Sequence, residues 1–231
     1  MVVAGGLAVF LAACQAPQGG PQDVPSTAVA PNPASTSQAP PSRTPVPDPT
    51  PSAPAYGTVS PPALSAEEQA QLDQELIAAA KANNAPLVKE LISRGGNVNA
   101  KDSIQDSAFL YAGAEGFNEV LQLTMAAGAD VASINRYGGT ALIPASEHGH
   151  VETVRILIAA GVPVNHVNDL GWTAMQEAIL LNDGGPRQQE VVRLLLEAGA
   201  DPDIRDPEGR TALQNAERLG FAEIAALIRG R

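Results

Sequence analysis

The chain has 231 residues and a formal net charge of −11, with 14 Lys and Arg against 25 Asp and Glu. That length leaves room for one or two domains, and the charge argues against a nucleic-acid partner, because phosphate binding needs clustered cations. The single cysteine, Cys14, excludes an intrachain disulfide and any multi-cysteine metal site.

The first element is the apolar run Val2 to Ala13 in "MVVAGGLAVFLAACQ". It is too short to span a bilayer and ends in small residues, the form of a secretory h-region and its cleavage site. Leu11, Ala12, Ala13 and Cys14 resemble the lipobox of bacterial lipoproteins. That resemblance implies cleavage before Cys14 and a diacylglycerol on its thiol, although no Lys or Arg follows Met1 as the family's basic n-region would have it. Gln15, in place of Asp, implies sorting to the outer membrane in a cell with two membranes. In a single-membraned cell it implies the outer face of the cell membrane.

Residues 14–62 form the next segment. Fourteen of the twenty prolines fall between Gln15 and Pro62, with few large apolar residues. Such a composition cannot bury enough surface to offset the entropy of ordering. A disordered, Pro-rich tether is expected, reaching on the order of 100 Å when extended. The alternative is a segment that docks on a partner or on the cell wall, but no PxxP match here is specific enough to favour it.

Beyond residue 63 the sequence repeats. A hydroxyl residue recurs at Ser107, Thr140, Thr173 and Thr211, at intervals of 33, 33 and 38. Gly95, Gly128, Gly161 and Gly199 recur at the same intervals. One five-residue insertion therefore lies between Thr173 and Gly199, placed at "NDGGPRQQ", Asn182 to Gln189. It is expected to be a flexible loop whose removal costs little stability. Each copy reads alike: a Ser or Thr cap, a short Ala-rich helix, and a glycine turn at Gly116, Gly149 or Gly220. A second helix follows with apolar residues at helical spacing, such as Val151, Val154, Leu157 and Ile158, and ends at a glycine such as Gly161. A stretch rich in Asn, Asp and Gly then turns back. No copy can bury its apolar stripe alone, but stacked copies can. The first copy is degenerate and opens with Ser65 and Glu68 in capping-box spacing, so its first helix starts early. Charged Glu217, Arg218, Glu223 and Arg229 keep the last copy soluble.

This pattern resembles the ankyrin repeat family, whose copies read roughly D-x-x-G-x-T-P-L-H-x-A-A-x-x-G-H and then V-V-x-L-L-L-x-x-G-A-D-V-N. The resemblance implies an all-α solenoid of about five helix-turn-helix copies joined by hairpin-like loops. The copies run over about 65–101, 102–134, 135–167, 168–205 and 206–231. Two departures predict local effects. Gln105 stands where glycine is usual, which predicts a distorted hairpin. Pro144 stands four residues after Thr140, which predicts a slightly opened first turn.

In the stretch "SEHGH", Glu147 and His148 occupy variable positions and His150 matches the family's "G-H" histidine. With His166 as the only other imidazole, convergence of three or four ligands on a metal is not expected. No nucleophile elbow, P-loop, HExxH or GxGxxG motif sits between a strand and a helix. We therefore expect no enzyme activity, no cofactor and no metal. Family members bind partners with their loop tips and the exposed side of their first helices. The positions in this sequence that match are Ile104, Arg136, Tyr137, Glu147, His148, Asp169, Leu170, Trp172, Leu180, Leu181, Arg205 and Arg210. Ile104, Tyr137, Leu170, Trp172, Leu180 and Leu181 are apolar where a solvated face would be polar, which suggests a binding hot spot rimmed by charge. The alternative is packing: Trp172 on its neighbouring hairpin, Leu180 or Leu181 under the inserted loop.

The expected function is a non-catalytic, monomeric protein-binding module, lipid-anchored in the bacterial cell envelope, touching the membrane only through that anchor. One alternative is an immunity or protective factor for an envelope enzyme or toxin, since exported ankyrin proteins resembling this one are sometimes linked to antioxidant enzymes such as catalase. Another is a hydrolase or metal protein with an unrecognised site.

Overall fold

The computed structural model describes residues 64–231. Cys14, the apolar run before it and the Pro-rich stretch lie outside the described residues. Helices succeed one another as α1 (Ala66–Lys81), α2 (Ala85–Ser93), α3 (Ala108–Glu115), α4 (Asn118–Ala126), α5 (Leu142–Glu147), α6 (Val151–Ala159), α7 (Ala174–Leu180), α8 (Pro186–Glu197), α9 (Ala212–Leu219) and α10 (Ala222–Arg229). Among the described residues the one β pairing is an isolated bridge between Ile134 and Thr140. The class is all-α, as the repeat pattern predicts.

Each odd-numbered helix packs on the even-numbered helix that follows it. The odd helices also pack on one another in sequence, and among the even ones α2 packs on α4, α6 on α8 and α8 on α10, while the Thr153 hydroxyl of α6 donates to Asn118 of α4, giving two layers. The core runs between the layers. Leu76, Leu91, Phe109, Leu121, Leu142, Leu157, Met175, Ile179, Leu195 and Ile224 are all fully buried there, and each copy's apolar stripe is covered by its neighbour's. Small residues set the spacing: a Cβ on Gly113 of α3 would lie 2.7 Å from the Ala141 Cβ just ahead of α5.

Three first helices are capped as the sequence predicts. Ser107, Thr173 and Thr211 accept from the N–H of Leu110, Gln176 and Gln214. Ser65 and Glu68 form the predicted capping box at the head of α1. The third copy departs further than expected. Pro144 offers no N–H, so helix α5 begins only at Leu142 and has no side-chain cap. The Ile143 N–H turns to the Thr140 carbonyl at 3.1 Å, and the Thr140 hydroxyl is buried without a partner.

The hairpins between copies share one device. Asp102, Asn135 and Asn168 each accept, on one side-chain oxygen, the N–H groups two and four residues ahead, at 2.9 to 3.1 Å, and Asp206 accepts from Arg210 N–H at 2.7 Å. The residue three ahead takes a left-handed conformation: Gly138, Gly171 and Gly209, and in the second copy Gln105 at φ 65. The predicted distortion is absent. Gln105 keeps the hydrogen bond to the Asp102 carbonyl that Gly138 makes to Asn135, because the Asp102 carboxylate holds the turn around it.

The loops on the other side of the repeat are stitched by asparagines. Asn99 donates to the Gly128 carbonyl and accepts from Asp130 N–H, and Asn165 does the same with Gly199 and Asp201. Between them stands Ala132, and the residue it would serve is Pro163, which has no N–H to offer. At the first copy α1 itself supplies the bonds: Gln69 donates to the Gly95 carbonyl and Asp73 accepts from Asn97 N–H.

The insertion is not the loose loop expected from "NDGGPRQQ". Pro186 is the first residue of α8, which has 12 residues where α6 has 9, so most of the added chain is helix. The turn itself is packed. Asn182 Nδ2 donates to the Glu147 carbonyl at 2.8 Å and Gln188 Nε2 to Asn182 Oδ1 at 3.0 Å. A Cβ on Gly184 would lie 2.5 Å from the Phe221 ring.

Candidate functional site

Between the hairpins and the first-helix layer lies a groove of about 370 Å³. It runs across the second, third and fourth copies, with Tyr111 and Ala114 from α3, Pro144 and Glu147 from α5, and Glu177 from α7 on its floor. Arg136, Tyr137 and Leu170 line it from the hairpins. Tyr137 and Leu170 are about half exposed, at 51% and 50%, and Leu181 is 47% exposed on the far rim. Side chains this open belong to the surface, not the core, and large apolar groups on a surface mark a candidate contact patch.

One end of the groove is electrostatically closed. Asp106 is buried between Lys81, at 3.0 Å, and Arg136, at 3.3 Å, and Lys81 also meets Asp102 at 2.7 Å. Burial works against the Lys81 ammonium, but its bonds to Asp102 and Asp106 outweigh it and hold the amine above the ordinary lysine range. The same two cations lie over aromatic rings, Lys81 over Tyr111 at 5.2 Å and Arg136 over Tyr137 at 4.8 Å.

The other end is unlike it. Glu177 is only 5% exposed. Its Oε1 accepts from Asn168 Nδ2 at 2.7 Å, and among the described residues no Lys or Arg pairs with it. Burial first, and then the charge of Glu147, push its carboxyl up to about 7, against the opposing Asn168 amide and His148. The next copy holds the same pair with the partners exchanged: Asn215 of α9 donates to Asp206 of the hairpin at 2.8 Å.

The three imidazoles, His148 and His150 of "SEHGH" and His166, each meet backbone of the chain. His148 Nδ1–H donates to the Ala114 carbonyl at 2.8 Å, and His166 Nε2–H donates to the Gly138 carbonyl at 2.6 Å, each tautomer following from its carbonyl acceptor. The His150 ring packs against Gly116, where a Cβ would come within 2.9 Å of it. Burial and the nearby His148 lower its pKa. Among the described residues no group of three His, Cys, Asp or Glu converges as metal ligands do.

Of the twelve candidate surface positions, the groove gathers Arg136, Tyr137, Glu147, His148, Leu170 and Leu181. Ile104, 47% exposed, continues the hairpin row beyond it. Asp169 is exposed and lays its carboxylate against Gly138, while its N–H donates to the Tyr137 carbonyl at 2.9 Å. Trp172 and Leu180 are half-buried outside the groove, and the Trp172 Nε1 has no partner. Arg205 donates to the Gly209 carbonyl at 2.6 Å. Arg210 is committed to Asp206, Glu208 and Asn215. The residues that sequence reasoning missed are Glu177, Tyr111 and Lys81. For Tyr111 and Glu177 the one signal was register: Tyr111, Pro144 and Glu177 recur at intervals of 33 and line the groove floor, while Lys81 falls outside that register.

Comparison with known proteins agrees with this architecture. The family model for ankyrin repeats in three copies matches residues 76–168, 109–206 and 154–230. A protein of Escherichia coli K12, YahD, named for ankyrin repeats, is 41% identical over 142 residues, covering 61% of this chain and 71% of its own. The crystal structure of an ankyrin repeat domain from Acinetobacter baumannii AYE has a TM-score of 0.66 at 57% identity, covering 67% of this chain and 79% of that one. A further crystal structure of an ankyrin repeat protein has a TM-score of 0.64 at 42% identity, over 67% and 78% of the two chains.

Proposed function

The chain belongs to the ankyrin repeat family, whose repeats are protein–protein interaction modules, and from that premise we propose that it is a non-catalytic binding protein held at the bacterial cell envelope by lipid on Cys14. The observation that carries the binding half is the groove. Open apolar side chains, Tyr137, Leu170 and Leu181, surround a floor that still contains a buried carboxylate. Apolar anchors around a few placed polar groups are the usual make-up of an interface centre. The lipobox-like "LAAC" supports the anchored half, with the Pro-rich stretch as a spacer that lets the repeats reach a partner away from the membrane. The cell compartment that follows is the periplasmic face of the outer membrane, or the outer face of a single cell membrane.

Two changes test the two halves. Cys14→Ser should move the protein from the membrane fraction to the soluble one and abolish labelling by a palmitate analogue. Unchanged membrane attachment would refute the anchor. Tyr137→Ala with Leu170→Ala should remove the partner that cross-links to the wild-type chain in envelope extract, with the melting temperature held within a few degrees. A cross-linked partner that survives both changes would move the binding site off the groove.

A further inference from the structure

We propose that the groove receives a lysine or arginine side chain, carried on an extended segment of the partner, and seats its cationic head beside Glu177. This rests on the groove being the binding surface. Four buried carboxylates stand in the hairpin and first-helix layer among the described residues: Asp73, whose Oδ1 accepts from both the Gln69 side chain and the Asn97 N–H, and Asp106, Glu177 and Asp206. The chain supplies cations to two of them. Lys81 and Arg136 hold Asp106, and Arg210 holds Asp206 at 3.3 Å. Glu177 has one amide, from Asn168, and no cation among the described residues. A buried carboxylate without a counter-charge is among the most costly groups a fold can keep. This one lines an open groove instead of a sealed core, so an incoming head group can reach it.

The surroundings fit that occupant. Glu147 adds a second negative charge from α5, and Arg136, the groove's own cation, is already bound to Asp106. Tyr137, Pro144, Leu170 and Leu181 offer apolar walls for the aliphatic stem of Lys or Arg. Burial and Glu147 hold the Glu177 carboxyl at about 7, so a cation would take the place of a proton that the empty groove retains part of the time. The net charge of −11 steers a basic segment inward and repels a second copy of the chain. The hairpin row also sets a spacing. Ile104, Tyr137 and Leu170 are equivalent positions in successive copies. Adjacent helices pack about 8–10 Å apart, and an extended segment in polyproline-II conformation advances about 3.1 Å per residue with three residues per turn. Its side chains therefore match the row at every third position.

The test is selection of random decapeptides from a display library on the full chain, followed by affinity measurements with the synthetic consensus peptide. The expected consensus holds Lys or Arg at a fixed position, with apolar residues three positions away. Replacing that cation by Met, or changing Glu177→Gln, should each weaken binding at least tenfold, and the two together should cost no more than either alone. Should Glu177→Gln fail to fold, Glu147→Gln should reproduce the loss in weaker form. A consensus that needs Tyr137 and Leu170 but has no fixed cation, or that ignores Glu177→Gln, would overturn this inference and leave the groove as the binding surface. Peptides indifferent to Tyr137→Ala and Leu170→Ala, or no enrichment at all, would overturn both readings. Self-association abolished by Leu170→Ala would assign the groove to a second copy and overturn the cationic occupant as well.

Discussion

Asp106 in the second copy and Glu177 in the fourth are buried acids facing one groove, and the chain treats them in opposite ways. Asp106 is bracketed by two cations. Glu177 is met by a neutral amide on one side and by a like charge, Glu147, nearby. The first arrangement makes a rigid wall whose electrostatics are complete. The second leaves a carboxyl that no cation among the described residues holds in its charged form. Repeats that share a backbone thus differ in side-chain chemistry: one end of the groove is charge-paired and the other is not.

The largest expected effect breaks that contrast through pH. Glu177 has its carboxyl raised from 4.5 to about 7 in the folded chain. The folded state holds a proton that the unfolded state has already lost in that interval, so this contribution to stability is complete below pH 4.5. It falls as pH rises and is gone above about 7. The difference in unfolding free energy between wild type and Glu177→Gln should therefore change by on the order of 3 kcal/mol from pH 4.5 to pH 8. Urea titrations across that range check it, and parallel profiles for the two proteins would show that Glu177 titrates normally. Next in size, Asp106→Asn should cost about 2 kcal/mol, because it leaves Arg136 without its carboxylate and Lys81 with only Asp102, discounted for the partial exposure of both cations. A lower urea midpoint at an unchanged slope is the expected readout. The smallest effect compares the caps. Thr173→Val should cost about 1 kcal/mol by opening the capping box with Gln176, whereas Thr140→Val should be neutral or slightly stabilising, because the Thr140 hydroxyl is buried without a partner. Equal losses at the two sites would mean that Thr140 finds an acceptor in solution.

Much of this architecture was legible in the sequence because stacking repeats turn a one-dimensional period into a three-dimensional neighbour relation. The recurrence of Ser107, Thr173 and Thr211 located three helix starts. What escaped depends on which of two local rules prevails. At Gln105 the missing glycine counted for less than the Asp102 carboxylate that binds the turn from inside. At Thr140 the proline prevailed over the cap and shortened the helix to six residues. The insertion could be counted from the interval of 38, but its division between turn and helix could not. Pro186 reads equally as a loop residue and as a first helical residue. The groove's apolar rim was legible at Tyr137 and Leu170. Of its acidic floor Glu147 was legible and Glu177 was not, since a glutamate in a short helix reads as solvated surface. Glu177 is buried only because its own hairpin folds Asn168 onto it.

The bonds that Gln69 and Asp73 make from α1 bear on behaviour far from the groove. A solenoid whose terminal loop kept Gly95 carbonyl and Asn97 N–H open would offer its end face to the last copy of another chain, and such head-to-tail contacts propagate without closing. Here both groups are already taken. With both groups occupied, that end offers no free Gly95 carbonyl or Asn97 N–H on which such a contact could begin.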